Sequence, residues 1–128
     1  MPNLDKTNEP YLPAADDVKE FEMLFPMLLA DLKAIGKLSK MKQDASVNTL
    51  KVKAINKKLI KLKELLSKEP TIEYLDLLDS DILPSNSDAV LIMIQYKQAM
   101  EQYKAKYFTK DNSDFDVVDE RYSWKTAK

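Results

Sequence analysis

The sequence has no cysteine, no histidine and a single glycine, Gly36. Without cysteine there is no disulfide framework and no thiolate metal ligand. Without histidine or cysteine, acid–base catalysis near neutral pH is left to buried carboxylates and lysines. One glycine cannot form a phosphate-binding loop, and the tight turns of an all-β fold need more residues that tolerate positive φ. These absences favour a helical protein that is not an enzyme.

Long apolar runs are also missing. The longest run, AVLIMI at residues 89–94, is far shorter than the ~20 residues that a membrane-spanning helix needs. The first ten residues, MPNLDKTNEP, are polar, so we expect no signal peptide and a cytoplasmic protein. The 128 residues are 45% hydrophobic and 32% charged, a composition typical of one foldable globular domain.

Charge of each sign is concentrated in different parts of the chain. Residues 1–32 carry seven acids and two lysines, for a net charge of −5. Residues 33–68 carry eleven lysines and two acids, net +9, and residues 69–128 carry twelve acids and seven bases, net −5. The middle of the chain is therefore strongly basic and both flanks are acidic, although the total is only −1.

The first helical signal begins at ADDVKEFEMLF, where Asp16 or Asp17 is a plausible N-cap. Pro26 should end, kink or restart this helix, and Gly36 is a second weak point. From Lys37 to Glu69 there is neither glycine nor proline, and a heptad series runs through this stretch. Its positions are Leu38, Met41, Ala45, Asn48, Val52, Ile55, Leu59, Leu62 and Leu66.

Two interpretations of this series remain open. The first is one long central helix over residues 37–68, with Asn48 as a polar position in the seam. The second is a helical hairpin that turns near residues 43–47, because the side chains of DASVNT compete with helical backbone bonds. We favour the long helix, since DASVNT contains neither glycine nor proline.

The rest of the chain completes an all-α prediction. TIEYLDLLDSDIL reads as a short acidic helix after Pro70, and the last helix should span about residues 88–109 with Ser87 as its N-cap. Its heptad stripe is Ala89, Met93, Tyr96, Met100, Tyr103 and Tyr107. The favoured interpretation of its tyrosines and methionines is a core face, and the alternative is a groove for a partner. We predict a small helical bundle with coiled-coil-like packing around the central helix. Residues 1–14 form an extended segment, residues 15–109 a single helical domain, and residues 110–128 an acidic-aromatic tail. Either Phe115, Val117 and Trp124 dock this tail, or it is a loose recognition segment.

Two clusters of carboxylates are candidate metal sites. DLLDSD (residues 76–81) and DNSDFD (residues 111–116) offer oxygen ligands suited to hard cations. Neither cluster has the glycine that an EF-hand loop requires. The prediction is therefore that these are solvated acids and that the protein binds no metal or cofactor.

The stretch VKAINKKLIKLKELL, residues 52–66, has one apolar and one basic face. Lys53, Lys57 and Lys61 stack at four-residue spacing on the side opposite the heptad residues. Parallel or antiparallel self-pairing of this helix would bring lysine against lysine, so acidic helices are better partners. We therefore expect most lysines to form ion pairs with acidic residues of the same chain or of another acidic surface.

The sequence thus favours a non-enzymatic protein–protein interaction subunit of adaptor, assembly or chaperone-like type, with another protein or a homo-oligomer as partner. The predicted interaction seam is Val52, Ile55, Leu59, Leu62, Leu66, Met93, Tyr96, Met100, Tyr103 and Tyr107. The alternative is an accessory nucleic-acid-binding protein, since lysines can neutralise phosphates. The candidate contacts to phosphate or to an acidic partner are Lys51, Lys53, Lys57, Lys58 and Lys61. Arginine is almost absent, with Arg121 alone, so base reading is not indicated.

Overall fold

The computed structural model describes residues 11–110 and 122–127. Within these ranges the α-helices are α1 (Ala15–Met41), α2 (Thr49–Leu65) and α3 (Asn86–Tyr107). A 3₁₀-helix spans Pro70–Tyr74, and strands β1 (Phe108–Lys110) and β2 (Tyr122–Trp124) form an antiparallel pair. The prediction of a mostly helical, packed fold is confirmed, and the small strand pair is an addition to it.

Helix α1 begins with Ala14 as the N-cap residue, two positions before the predicted Asp16. An alanine side chain cannot accept a hydrogen bond, so Asp17 supplies the acceptor: its Oδ2 receives the Ala14 N–H at 3.0 Å. The helix continues through Pro26 and Gly36. Pro26 lies on the exposed side, where the Glu22 carbonyl that loses its amide partner can turn to water.

The single helix predicted over residues 37–68 is wrong, and the hairpin interpretation describes the chain. Helix α1 ends at Met41 and α2 begins at Thr49. Asn48 is the N-cap of α2, because its Oδ1 accepts the Lys51 N–H at 2.9 Å. A residue read as a polar seam position instead starts a new helix, which is the role that asparagine favours most.

A second loop stabilises this turn through backbone hydrogen bonds. The Val47 N–H donates to the Pro84 carbonyl, and the Asn86 N–H donates to the Ala45 carbonyl, each at 2.8 Å. The Asn86 side chain also donates to the carbonyl of Lys42 at 2.9 Å. The turn therefore needs neither glycine nor proline, because its polar backbone groups find partners across the chain.

The helices are connected so that α2 and α3 both run antiparallel to α1. The end of α1 meets the start of α3 through Lys42 and Asn86, while Phe21 near the start of α1 stacks on Tyr103 near the end of α3. Glu69, just after α2, bonds Tyr107 at the end of α3. The segment between α2 and α3 must therefore return along the length of the bundle.

The prediction of a short acidic helix over residues 71–83 is wrong for most of this return segment. Helical structure stops at Tyr74, and an extended stretch follows. Leu75 and Leu78 enter the core, whereas Ile82 is 78% exposed. Asn56 holds the extended chain: its Nδ2 donates to the Leu78 carbonyl at 2.8 Å, and its Oδ1 accepts the Leu78 N–H at 2.9 Å.

Helix α3 begins two residues earlier than predicted. Ser85, and not Ser87, is its N-cap, because the Ser85 Oγ accepts the Asp88 N–H at 3.1 Å. The helix then runs into strand β1, where Phe108 pairs with Trp124. Trp124 packs edge-on against Phe21 at 5.1 Å between ring centroids, and its Nε1 donates to Glu22 at 3.2 Å.

Residues 122–127 thus lie against α1 and α3, and the Ala127 N–H donates to the Pro13 carbonyl at 2.8 Å. Phe115 and Val117, the other candidate docking residues, lie outside the described residues. No helix in the described ranges combines the length and apolar character needed to cross a membrane.

Candidate interaction surface

All ten residues of the predicted interaction seam lie in the core of this chain. Eight of the ten have no exposed surface, and Ile55 and Tyr107 are 4% and 2% exposed. Each large apolar side chain buried in this way contributes about 1.5–3 kcal/mol to folding. Because the chain itself covers these residues, a surface for a partner must be built from other side chains.

The five candidate lysines fall into two groups. Lys58 forms an ion pair with Asp31 of α1 at 2.6 Å, and both side chains are partly buried. Lys51, Lys53, Lys57 and Lys61 are exposed. Among residues 11–110 and 122–127 no ion pair involves these four lysines.

The lysine-rich segment is therefore scarcely neutralised by the part of the chain that is described. That part contains the ion pairs Lys58–Asp31, Lys97–Glu101 and Lys106–Glu69. Of the lysines in residues 33–68, only Lys58 therefore forms an ion pair with a described residue. The acidic helices predicted to meet the lysines contribute Asp31 alone. Within the described ranges, pairing of these lysines inside the chain is thus found for Lys58 alone.

The outer side of α2 also carries apolar side chains. Leu50 is 77% exposed and Ile60 is 45% exposed. Helical spacing places Leu50 opposite Leu59 among the lysines, and Ile60, about 100° from Leu59, at the edge of the same outer side. We define the basic face of α2 as Leu50, Lys53, Ala54, Lys57, Ile60 and Lys61. Leu50 and Ile60 are not part of the predicted seam because they lie outside the heptad positions. Two large apolar residues outside those positions were the sequence signal for a second apolar surface on α2.

A buried carboxylate lies at the opposite end of α3 from its N-cap. Glu69 is 6% exposed, and its Oε2 accepts the Tyr107 hydroxyl at 2.8 Å. Lys106 Nζ approaches the other oxygen at 3.4 Å. Burial, followed by the hydrogen bond to Glu69, raises the pKa of the Tyr107 phenol. These two contacts join the segment after α2 to the end of α3. The two donors compensate the buried carboxylate, so the contacts hold the two parts of the chain together.

Tyr96 and Tyr103 are buried in α3 with different hydrogen bonding. The Tyr96 hydroxyl donates to the Asp76 carbonyl at 2.8 Å. The Tyr103 hydroxyl has no partner among the described residues. Burial is the main cause that raises the pKa of both phenols above the ordinary value of 10.0.

These raised pKa values predict alkaline unfolding. The native state keeps the phenol protons that the unfolded chain releases near pH 10, so the tyrosine contribution is intact below that pH. Above it, each buried tyrosine should remove about 1.4 kcal/mol of stability per pH unit, until its own folded-state pKa is reached. Loss of the helical circular dichroism signal should therefore coincide with phenolate absorbance. Tyr103→Phe, which breaks no hydrogen bond among the described residues, should be nearly neutral at pH 7 and unfold at a higher pH. An unchanged midpoint of alkaline unfolding in this variant would show that ionisation of Tyr103 does not contribute to the unfolding.

The candidate metal-binding carboxylates do not gather into a site among the described residues. There, no group of three or more acidic side chains is placed to hold a metal ion. Asp79 instead accepts the backbone N–H groups of Ile82 at 3.0 Å and Asp81 at 2.8 Å, which lower the pKa of its carboxyl group. The cluster at residues 111–116 lies outside the described ranges.

Comparison with known proteins finds no family model, no curated protein and no solved structure that matches this chain. The chemistry of its own surfaces must therefore carry the functional argument.

Proposed function

We propose that the protein is a non-enzymatic helical interaction subunit, of adaptor, assembly or chaperone-like type. In this proposal, the basic face of α2 binds an acidic surface of another protein. The observation that carries the proposal is the exposure of Leu50 and Ile60 among Lys53, Lys57 and Lys61, which have no ion pair in the described ranges.

The mixture of side chains favours a protein partner. Leu50 and Ile60 lie toward the two ends of the lysine row, and their burial against a partner supplies affinity that lysines alone do not. The lysines contribute orientation and association rate, because complementary charge steers the encounter and disfavours other partners. Such a contact reproduces between molecules the charge pairing that Lys58 and Asp31 make within the chain.

Nucleic acid is the second candidate, and a specific observation favours it. Lys51, Lys53, Lys57 and Lys61 are exposed on one helix, and each phosphate that they neutralise would release counterions. However, α2 has no aromatic side chain for base stacking and no arginine for base reading. Two exposed aliphatic side chains also gain little against a phosphate backbone.

Two matched variants distinguish these functions. The lysine variant combines Lys53→Gln, Lys57→Gln and Lys61→Gln, and the apolar variant combines Leu50→Ser and Ile60→Ser. A charge control, Lys19→Gln with Lys104→Gln and Lys125→Gln, removes three exposed lysines elsewhere. Purification at low salt, with and without nuclease and with quantitative mass spectrometry, compares what each retains.

We expect both face variants, and not the charge control, to lose the same acidic protein, with no effect of nuclease. Purified nucleic acid should bind no tighter than about 10⁻⁴ to 10⁻⁶ M at ~0.15 M salt, measured by fluorescence anisotropy with labelled duplex and single-stranded oligonucleotides. Submicromolar binding that the lysine variant abolishes and the apolar variant keeps would establish the nucleic-acid function instead. In that case each lost phosphate contact should reduce the salt slope by about 0.9 on duplex DNA.

A further inference from the structure

The outer side of α1 carries an apolar stripe of its own. Its members follow the spacing four, three, four and seven: Met23, Met27, Ala30, Ala34 and Met41. Met23 is 57% exposed, Met27 41% and Met41 77%, and both alanines are exposed. Helical geometry places this stripe opposite the buried Phe21, Leu28 and Ile35.

The stripe differs from the scattered apolar residues of an ordinary surface. Exposed hydrophobic side chains usually occur singly, whereas a row at heptad spacing is the pattern of a helix–helix seam. Pro26, and Leu29 at 36% exposed, widen it on one side. Methionine adapts its shape to a neighbouring surface, and alanine allows close approach of two backbones.

Charge along α1 indicates what covers the stripe. Residues 15–28 carry Asp16, Asp17, Glu20 and Glu22 against Lys19, net −3. Residues 29–41 carry Lys33, Lys37 and Lys40 against Asp31, net +2. A second copy of α1 running antiparallel therefore brings the acidic half against the basic half, whereas a parallel copy opposes like charges.

Side-chain size is complementary in the same arrangement. When Met27 of one copy lies beside Ala30 of the other, the antiparallel register also places Met23 beside Ala34. Large side chains then meet small ones at the centre, which gives interlocking contacts. The same register brings Glu20 of each copy beside Lys37 of the other, twice by symmetry.

We propose that the chain forms a homodimer through antiparallel pairing of the outer faces of two α1 helices. The inference is independent of the basic face of α2, because it uses a different helix and different residues. The dimer presents two basic faces, so a partner with repeated acidic segments gains from engaging both.

The test is the mass of the full chain in solution, measured by sedimentation equilibrium at micromolar concentration. We expect twice the 14.7 kDa monomer mass for the native sequence. Ala30→Glu should raise the dimer Kd about a hundredfold or more, since it buries a carboxylate against Met27 of the other copy, twice by symmetry, at the apolar centre. Its circular dichroism and melting behaviour, extrapolated to low concentration, should match those of the native monomer. The Leu50→Ser, Ile60→Ser variant should remain dimeric.

Charge exchange tests the orientation. Glu20→Lys alone and Lys37→Glu alone should each raise the dimer Kd about tenfold, because two contacts per dimer change from attraction to repulsion. The double variant Glu20→Lys with Lys37→Glu should restore the native Kd. A native chain that is monomeric at all concentrations overturns the proposal, as does a dimer that tolerates Ala30→Glu. A monomeric Ala30→Glu variant that melts earlier than the native monomer also overturns it, because the chain's own residues would then cover the stripe.

Discussion

Leu59→Asp is expected to abolish cooperative folding, whereas Lys57→Asp, on the same helix, should leave the melting temperature almost unchanged. Leu59 has no exposed surface and belongs to the hydrophobic core. An aspartate there removes apolar contacts and places a carboxylate without a partner among hydrocarbon side chains. The cost, about 4–5 kcal/mol or more, approaches the total stability of about 5–15 kcal/mol of a typical domain.

Lys57 is the matched control because it is exposed and stacks between two other lysines. Replacing it by aspartate relieves that repulsion, so the change in stability should stay within about 0.5 kcal/mol. Thermal and urea unfolding followed by circular dichroism compare the two variants. Similar unfolding midpoints for both variants would show that the side of α2 that carries Leu59 is not the buried side.

Asn56→Ala should have the second-largest effect, a loss of about 2–4 kcal/mol. The Asn56 side chain makes two hydrogen bonds to the backbone of Leu78, and Leu78 is buried. Alanine leaves the part-buried N–H and carbonyl of Leu78 without partners, at about 1–3 kcal/mol each. Hydrogen exchange should show the loss locally, with the Leu78 amide deprotected more than the amides of α2.

Asn48→Ala provides the comparison, since it removes one hydrogen bond at an exposed helix start. Loss of such a cap costs about 0.5–2 kcal/mol. If Asn56→Ala proved no more destabilising than Asn48→Ala, the two Asn56 bonds would not be holding the return segment.

The helical class could be predicted because it depends on local properties, the scarcity of glycine and the heptad spacing. The break at Asn48 could not be decided locally, since the same asparagine suits a polar seam position or an N-cap. The choice depends on hydrogen bonds from Val47 and Asn86 to residues about forty positions away in sequence. No local pattern records such partners, and tertiary contacts override local preference.

The extended return segment was missed for a similar reason. Leu75 and Leu78 are spaced as on a helix, and Asn56, which holds the chain extended, belongs to a different element. For the basic face, the lysine row could be read from four-residue spacing. The lack of ion pairs to these lysines in the described ranges could not be predicted, because acidic residues near in sequence need not lie near in space.

The hydrogen bond between Ala127 and Pro13 has a consequence for the order of folding. Closing a flexible loop of 114 residues costs about 4 kcal/mol of chain entropy, too much for one backbone bond to offset. Once α3 has packed on α1, the gap to be closed shrinks to the residues between Lys110 and Tyr122, at about 2 kcal/mol. The contacts of Trp124 with Phe21 and Phe108 can then offset it. Residues 122–127 should therefore join a bundle that has already formed and leave it first when the protein unfolds.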